Sequence, residues 1–144
     1  MASDPCVVRP ATSEDTGALR LFHPHDETTE LTARLVTEVP GTTHYFAELA
    51  GEPVAAFSLT ELGRVRPGAA PRVLLHDMKI RARFRGHGVT KGIFGWLSES
   101  LGAGRRVELI ALTPPEYRPA AMAQFGLVES HHAFKWAVSE DVRR

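Results

Sequence analysis

Residues 79–92 read KIRARFRGHGVTKG. Five of the fourteen are cationic (Lys79, Arg81, Arg83, Arg85 and Lys91) and three are glycines. No Asp or Glu stands between Asp77 and Glu99, although the whole chain balances 17 basic against 17 acidic residues. The stretch follows RVLLHDMKI, an apolar run that reads as a strand. It leads into VTKGIFGWLSESL, where Val89, Ile93, Trp96, Leu97 and Leu101 recur at helical spacing. A helix N-terminus presents unpaired N–H groups and the positive end of its dipole, and so favours anions. Glycines just ahead of it let a bulky anion reach the backbone, and the cations add charge-assisted bonds to phosphate. Arg85-Gly86-His87-Gly88-Val89-Thr90 therefore reads either as a phosphate cradle or as a solvated basic turn.

Working outward, CVVRPA has strand character and ends at Pro10. Thr12-Ser13-Glu14-Asp15 offers capping groups for a helix through about Phe22. A polar connection, HPHDETTE, leads to LTARLVTEV, which places Leu31, Leu35 and Val36 on one helical face before Pro40-Gly41 stops it. THYFAELA and VAAFSLTEL read as a hairpin around Ala50-Gly51-Glu52-Pro53. Past the quoted stretch, Gly102 and Gly104 close the helix, and RRVELIAL is a short buried strand. Thr113-Pro114-Pro115-Glu116 opens a further helix, which Pro119 keeps short or broken. LVESHHAFKWAV reads as a last strand. The order β, α, α, β-hairpin, β, α, β, α, β predicts one mixed α/β domain over residues 1–144, with parallel pairing inside 72–112.

Composition sets the outer limits. The chain has 144 residues, of which 43% are hydrophobic and 24% charged, as in a globular domain with a core of ordinary size. Zero net charge argues against bulk attraction to nucleic acid or to a membrane. Cys6 is the only cysteine, so no intrachain disulfide forms. No apolar run approaches the ~20 residues of a membrane helix, and the N-terminus lacks a signal-peptide core. The expected location is the cytoplasm.

Several phosphate motifs fit poorly. A P-loop needs Gly-Lys-Ser/Thr where this chain has Thr90-Lys91-Gly92. A dinucleotide fingerprint needs a third glycine at Lys91 and an acid at the end of the next strand, whereas Glu108 lies near that strand's start. Lys79, Arg81, Arg83 and Arg85 alternate as a nucleic-acid strip could, but few aromatics interleave with them.

The stretch does resemble the GNAT acetyltransferases, whose [Gln/Arg]-x-x-Gly-x-[Gly/Ala] motif follows the fourth strand and opens the third helix. Arg85-x-x-Gly88-x-Thr90 matches it, with Thr90 departing at the last position. VVRPATSED, YFAELAGEPVAAFSL and FGLVES resemble other parts of the family, so the resemblance spans roughly residues 6 to 138. It implies a mostly antiparallel sheet with a parallel β4–β5 split, flanked by helices. It also implies acetyl-CoA as cofactor. Its pyrophosphate would lie on Arg85, Gly86, His87, Gly88, Val89, Thr90 and Lys91. Its pantetheine arm would pair with the backbone of Met78, Lys79 and Ile80. The implied reaction is acyl transfer by direct attack of a small-molecule or peptide amine, with no nucleic acid, membrane or metal involved and a homodimer left open. Pro115 and Met122 stand where the family often has an Asn and a Tyr. Tyr117, nearby, is either a substitute for that acid or a packing residue. A non-catalytic CoA-binding module, or another reaction on the same fold, is the alternative.

An attacking amine needs a base to take its proton. His76, on the strand before the glycine loop, is a candidate base or a core histidine; free imidazole has a pKa of ~6.5. Strict alternation would put Leu74, His76, Met78 and Ile80 on one face and Asp77 on the other, where it reads as an ion-pair partner. His23-x-His25 with Glu30 echoes a cupin metal motif, but the second cupin motif ends in asparagine and this chain has none. Asp26, Glu27 and Glu30 have no Lys or Arg between Arg20 and Arg34 to offset them. In the resembling family this connection borders the acceptor cleft, so the three are candidates for binding a cationic acceptor.

Overall fold

In the computed structural model, which describes residues 5–37, 39–113 and 119–138, the strands are β1 (Cys6–Pro10), β2 (Thr42–Leu49), β3 (Glu52–Gly63), β4 (Arg72–Ile80) and β5 (Glu108–Ala111). They form one sheet in that order. β1 to β4 pair antiparallel, and β4 pairs with β5 in parallel. The helices are α1 (Thr16–Arg20), α2 (Thr28–Val36), α3 (Val89–Gly102) and α4 (Pro119–Ala123). The chain divides into two compact units, Met1–Pro114 and Pro115–Arg144. Among the described residues no helix is long and apolar enough to cross a membrane.

Leu49 pairs with Glu52, so Ala50 and Gly51 alone make the β2–β3 turn, both at positive φ (51° and 79°). Such two-residue turns match the twist of a hairpin. Cross-strand partners share a face. Tyr45, Phe57 and Leu75 therefore line one side of the sheet, where Trp96 of α3 meets Tyr45 and Phe57 at 5.0 and 6.1 Å. Val89, Ile93, Phe94 and Leu97 of α3 are buried. Gly92 lets α3 lie against β1: a Cβ there would fall 2.6 Å from the Cβ of Cys6. Burial also raises the Cys6 thiol pKa. Phe46 lies on the other side of the sheet, 6.0 Å from Phe22 beyond α1.

β4 departs from the alternation the sequence suggests. Ala56 pairs with Lys79 but Ser58 with His76, so Phe57 alone faces both Asp77 and Met78. Asp77 is the extra residue of a bulge, at φ 53°. Asp is one of the few side chains that tolerates this left-handed conformation. Beyond the bulge the phase changes. His76 shares its face with Leu74 and Lys79, whereas Met78 and Ile80 join Leu75 on the α3 side. The expectation that His76, Met78 and Ile80 share a face is thereby corrected.

α1 is shorter than expected, and the Asp15 carboxylate makes no cap bond to it. It accepts two bonds from Arg9, at 2.8 and 2.9 Å, and one from the Thr12 N–H at 2.6 Å. Arg9 also donates to Glu48 at 3.1 Å. The Arg9 bond is the main cause that holds the Asp15 carboxyl below the usual carboxylate range. A depressed folded-state pKa contributes stability that is full above the unfolded value of ~3.9 and is lost as pH falls through the folded one. Asp15→Asn should therefore cost about 2–3 kcal/mol at pH 7, the scale of bonds to a charged group. Urea unfolding from pH 7 down to acid should show the gap between the two proteins closing.

In the second unit, α4 closes through Leu127 N–H to Met122 O at 3.4 Å and Gly126 N–H to Ala123 O at 3.0 Å. Gly126 stands at φ 88°, so this is a Schellman motif on the FGL step. Pro119 is the first residue of the helix rather than a break inside it, a position where no backbone bond is lost. The expected last strand is absent among described residues 127–138. Phe134, Trp136 and Val138 do alternate, but a strand exists only as a ladder, and these residues have no ladder partner among those described.

Candidate active site

The cations of 79–92 separate into two groups. Lys79 Nζ donates to Phe22 O at 3.5 Å. Arg81 donates to Glu52 Oε1 at 3.0 Å and to Pro53 O at 2.9 Å. Arg83 lies 3.8 Å from the same Glu52 oxygen and stacks on Phe84 with Arg81. The missing local acid is thus supplied by Glu52, from the hairpin. Arg85 and Lys91 are exposed, and their side chains have no hydrogen-bond or ion-pair partner among the described residues. Gly86 and Gly88 stand at φ 82° and 77°, and a Cβ at either would meet nothing within 4 Å.

Gly88 is the N-cap of α3, and the first backbone bond across this helix start runs from Gly92 N–H to Gly88 O at 3.0 Å. Among the described residues the N–H groups of Gly88, Val89, Thr90 and Lys91 make no backbone bond. The Val89 side chain is buried and fixes the helix start in the core, while His87 is exposed and meets the edge of Phe84 at 5.8 Å.

The edge of β4 opens just before this loop. Its ladder with β5 covers Arg72 to Leu75, and Leu112 N–H adds one bond to Leu75 O at 2.9 Å. From His76 to Ile80 this edge has no partner strand among the described residues. Arg81 N–H points inward to Val54 O at 2.9 Å. By alternation the N–H and C=O groups of Ile80 and Met78 point to the open edge. A bulged strand bends, and the bulge lies where β4 and β5 part.

On the face away from α3, polar groups run across three strands. His76 has Asp77 Oδ2 at 2.9 Å from Nδ1 and Thr60 Oγ1 at 2.7 Å from Nε2. A carboxylate only accepts, so Nδ1 carries the proton and Nε2 accepts from the Thr60 hydroxyl. Thr60 then accepts from Thr42, 2.8 Å away. His44 Nδ1 and Ser58 Oγ lie 2.6 Å apart in the same row. His76 is therefore oriented by two partners rather than packed among apolar groups. Asp77 pairs with His76 and not with a nearby cation. Sequence reading missed Thr42, Ser58 and Thr60, although their i, i+2 spacing in the two hairpin arms places them on one face.

The acidic connection is only partly as expected. Asp26 is not unpaired: Arg34 of α2 lies 2.7 Å from its Oδ2, as an ion pair without hydrogen-bond alignment, and His23 Nδ1 is at 3.8 Å. The local window that seemed free of cations ended at Arg34, two helical turns on. Glu27 and Glu30 are exposed and have no ion pair among the described residues. Burial, then the charges of Lys79 and Arg34, lower the His23 pKa, with Asp26 and then Asp77 acting in the opposite direction. The connection therefore lies in the field of the end of β4. Tyr117 and Pro115 lie outside the described residues, and Met122 is buried. Among the described residues no group of three or more His, Cys, Asp or Glu is placed to hold a metal ion.

No known protein-family profile matches the chain, and no curated protein sequence does. Solved structures do. Glucosamine-6-phosphate N-acetyltransferase from Arabidopsis thaliana is 16% identical with a TM-score of 0.70, covering 96% of this chain and 100% of that one. A transcriptional regulator from Bacillus halodurans C-125 is 16% identical at 0.71, covering 92% and 99%. AAC(6')-Iy in complex with the bisubstrate analog CoA-S-monomethyl-acetylneamine is 16% identical at 0.66, covering 93% and 98%. At these identities the likeness establishes the fold.

Proposed function

We propose that this chain, which has the GNAT fold, is a cytoplasmic N-acyltransferase that moves an acetyl or other short acyl group from a CoA thioester to an amine by direct attack. The observation that carries the reading is the parting of β4 from β5 after Leu75, with the open edge of β4 leading straight into the glycine loop. The residues fit CoA. Its pyrophosphate would lie on the free amides of Gly88 to Lys91, with Arg85 and Lys91 beside them and Gly86 and His87 completing the loop. The backbone of Met78 and Ile80 would pair with the pantetheine amides. Lys79, turned to Phe22 on the other face, would border the acceptor side. A CoA thioester supplies an electrophilic acyl carbon and a thiol leaving group of pKa ~8.5.

The protein's own part is to hold and move protons. Asp77 keeps the His76 proton on Nδ1, so Nε2 is the basic atom. Thr60 covers Nε2, so the amine proton reaches the ring through the Thr60 hydroxyl. The departing sulfur takes its proton from water or from Tyr117. Glu27 and Glu30 favour a cationic acceptor, with Asp26 holding Arg34 beside them.

Thiol release from acetyl-CoA across a panel of amines and carboxylic acids tests the reading. Amine-dependent release that weakens as salt rises, through the acceptor KM, is the expected result. An anionic best acceptor refutes the acceptor assignment. A second reading, a CoA-binding module without turnover, has two observations in its favour: Met122 at the position of the family tyrosine, and the likeness to a transcriptional regulator. CoA binding in calorimetry without thiol release from any amine decides for it. No CoA binding at all refutes both.

A further inference from the structure

The β3–β4 connection and the α3–β5 connection flank an open surface cavity of about 590 Å³ at the opposite end of β4 from the glycine loop. Arg64 and Arg66 line it from the first connection, and Arg105 and Arg106 from the second. Among the described residues Glu108 is the only acid in the lining. None of the four arginines makes an ion pair with Glu108 or with any other described acid. Two of them bond to neutral carbonyls: Arg64 donates to Ala69 O, and Arg105 Nε to Leu101 O at 3.3 Å. The side chains of Arg66 and Arg106 have no hydrogen bond or ion pair among the described residues. Arg72 follows Pro71 in the chain, and its buried Nε has no hydrogen-bond partner among the described residues.

The cavity is held open by backbone bonds. Ala69 N–H donates to Arg66 O at 3.1 Å within the first connection, and Glu108 N–H to Pro71 O at 2.9 Å ties the two walls together. Four guanidinium groups set around one fixed hollow repel one another unless an anion joins them. Their planar forks match the oxygens of phosphate, and the volume lies within the ~300–1,000 Å³ of small-molecule sites.

We propose that this cavity is a second anion site, for a small ligand bearing two or more phosphate charges. It is separate from the CoA loop. From Arg72 to Ile80 β4 covers roughly 26 Å at ~3.3 Å per residue. The proposal is independent of the acyltransferase reading and survives if that reading fails.

Inorganic tripolyphosphate titrated into the ¹⁵N-labelled full chain tests it, because amide shifts report each site separately. Saturable shifts are expected at Gly68, Ala69, Arg105 and Arg106, besides any at Gly88 to Lys91. The double variant R66S/R106S alters two exposed side chains. It should weaken tripolyphosphate at the first group by tenfold or more, through the loss of two charge-assisted contacts, and leave the second group unchanged. Shifts confined to Gly88–Lys91, shifts that never saturate, or shifts at Gly68 that persist in R66S/R106S would each overturn the site.

Discussion

On the proposed function, His76→Ala is expected to lower kcat/KM for amine acetylation by ~10²–10⁴-fold, the contribution of a positioned base, while thermal stability and CoA affinity stay near wild type. The expectation rests on where the ring is held. Both nitrogens are engaged, with Asp77 on one side and Thr60 on the other, so the side chain has one orientation and one basic atom. Its face carries Thr42, His44, Ser58 and Thr60, a polar row across three strands. Stability should change little, because Asp77 is exposed and remains in water once its partner is gone. The acidic limb of the pH–rate profile should flatten, since protonated imidazole cannot accept the amine proton. Thr60→Val, of similar shape, should lower kcat in the same direction if the proton passes through the hydroxyl. A His76→Ala protein with wild-type kcat/KM and an unchanged pH profile would return His76 to a structural role.

Arg85→Ala is expected to weaken CoA by roughly 10- to 150-fold, the equivalent of one charge-assisted bond of ~1.5–3 kcal/mol. The contrast with its neighbours sharpens the expectation. Arg81 is already bound to Glu52 and Pro53, and Arg83 lies on Phe84 beside the same Glu52. Neither is free to leave its partners without cost. Arg83→Ala should therefore change CoA affinity by much less than Arg85→Ala. Calorimetry on the two variants, at two salt concentrations, checks this. Equal losses from both would mean that a diffuse basic field, rather than one residue at the helix start, holds the ligand.

Much of this architecture is legible in the chain. The hairpin follows from Ala50-Gly51 between two alternating runs, and α3 from its apolar spacing after Gly88. The parallel pairing follows from the strand–loop–helix–strand unit, and the mostly antiparallel sheet is what the family resemblance implies. What escapes is long-range. Glu52 neutralises cations about thirty residues away, and Arg34 reaches back to Asp26 from the next helix. The bulge escapes for a different reason. One extra residue leaves the composition of β4 unchanged, and only an aspartate in mid-strand hints at a left-handed backbone. That single residue moves His76 off the face of Met78 and Ile80. The misread last strand shows the converse: alternation in Phe134, Trp136 and Val138 describes a possible face, while a strand requires a neighbour.

Asp77 is separable from the sheet that contains it. Removing it would leave His76 opposite Ser58, Met78 opposite Phe57 and Lys79 opposite Ala56, with every side chain still on its present side. An insertion or deletion at most other strand positions would instead turn the following residues over. The β3–β4 pairing therefore has no need of this residue, and a version of the chain one residue shorter could keep the same topology. What such a chain would lack is the bend beside β5 and the carboxylate on His76. The extra length in β4 adds a bend and a carboxylate beside His76, and the fold only accommodates it.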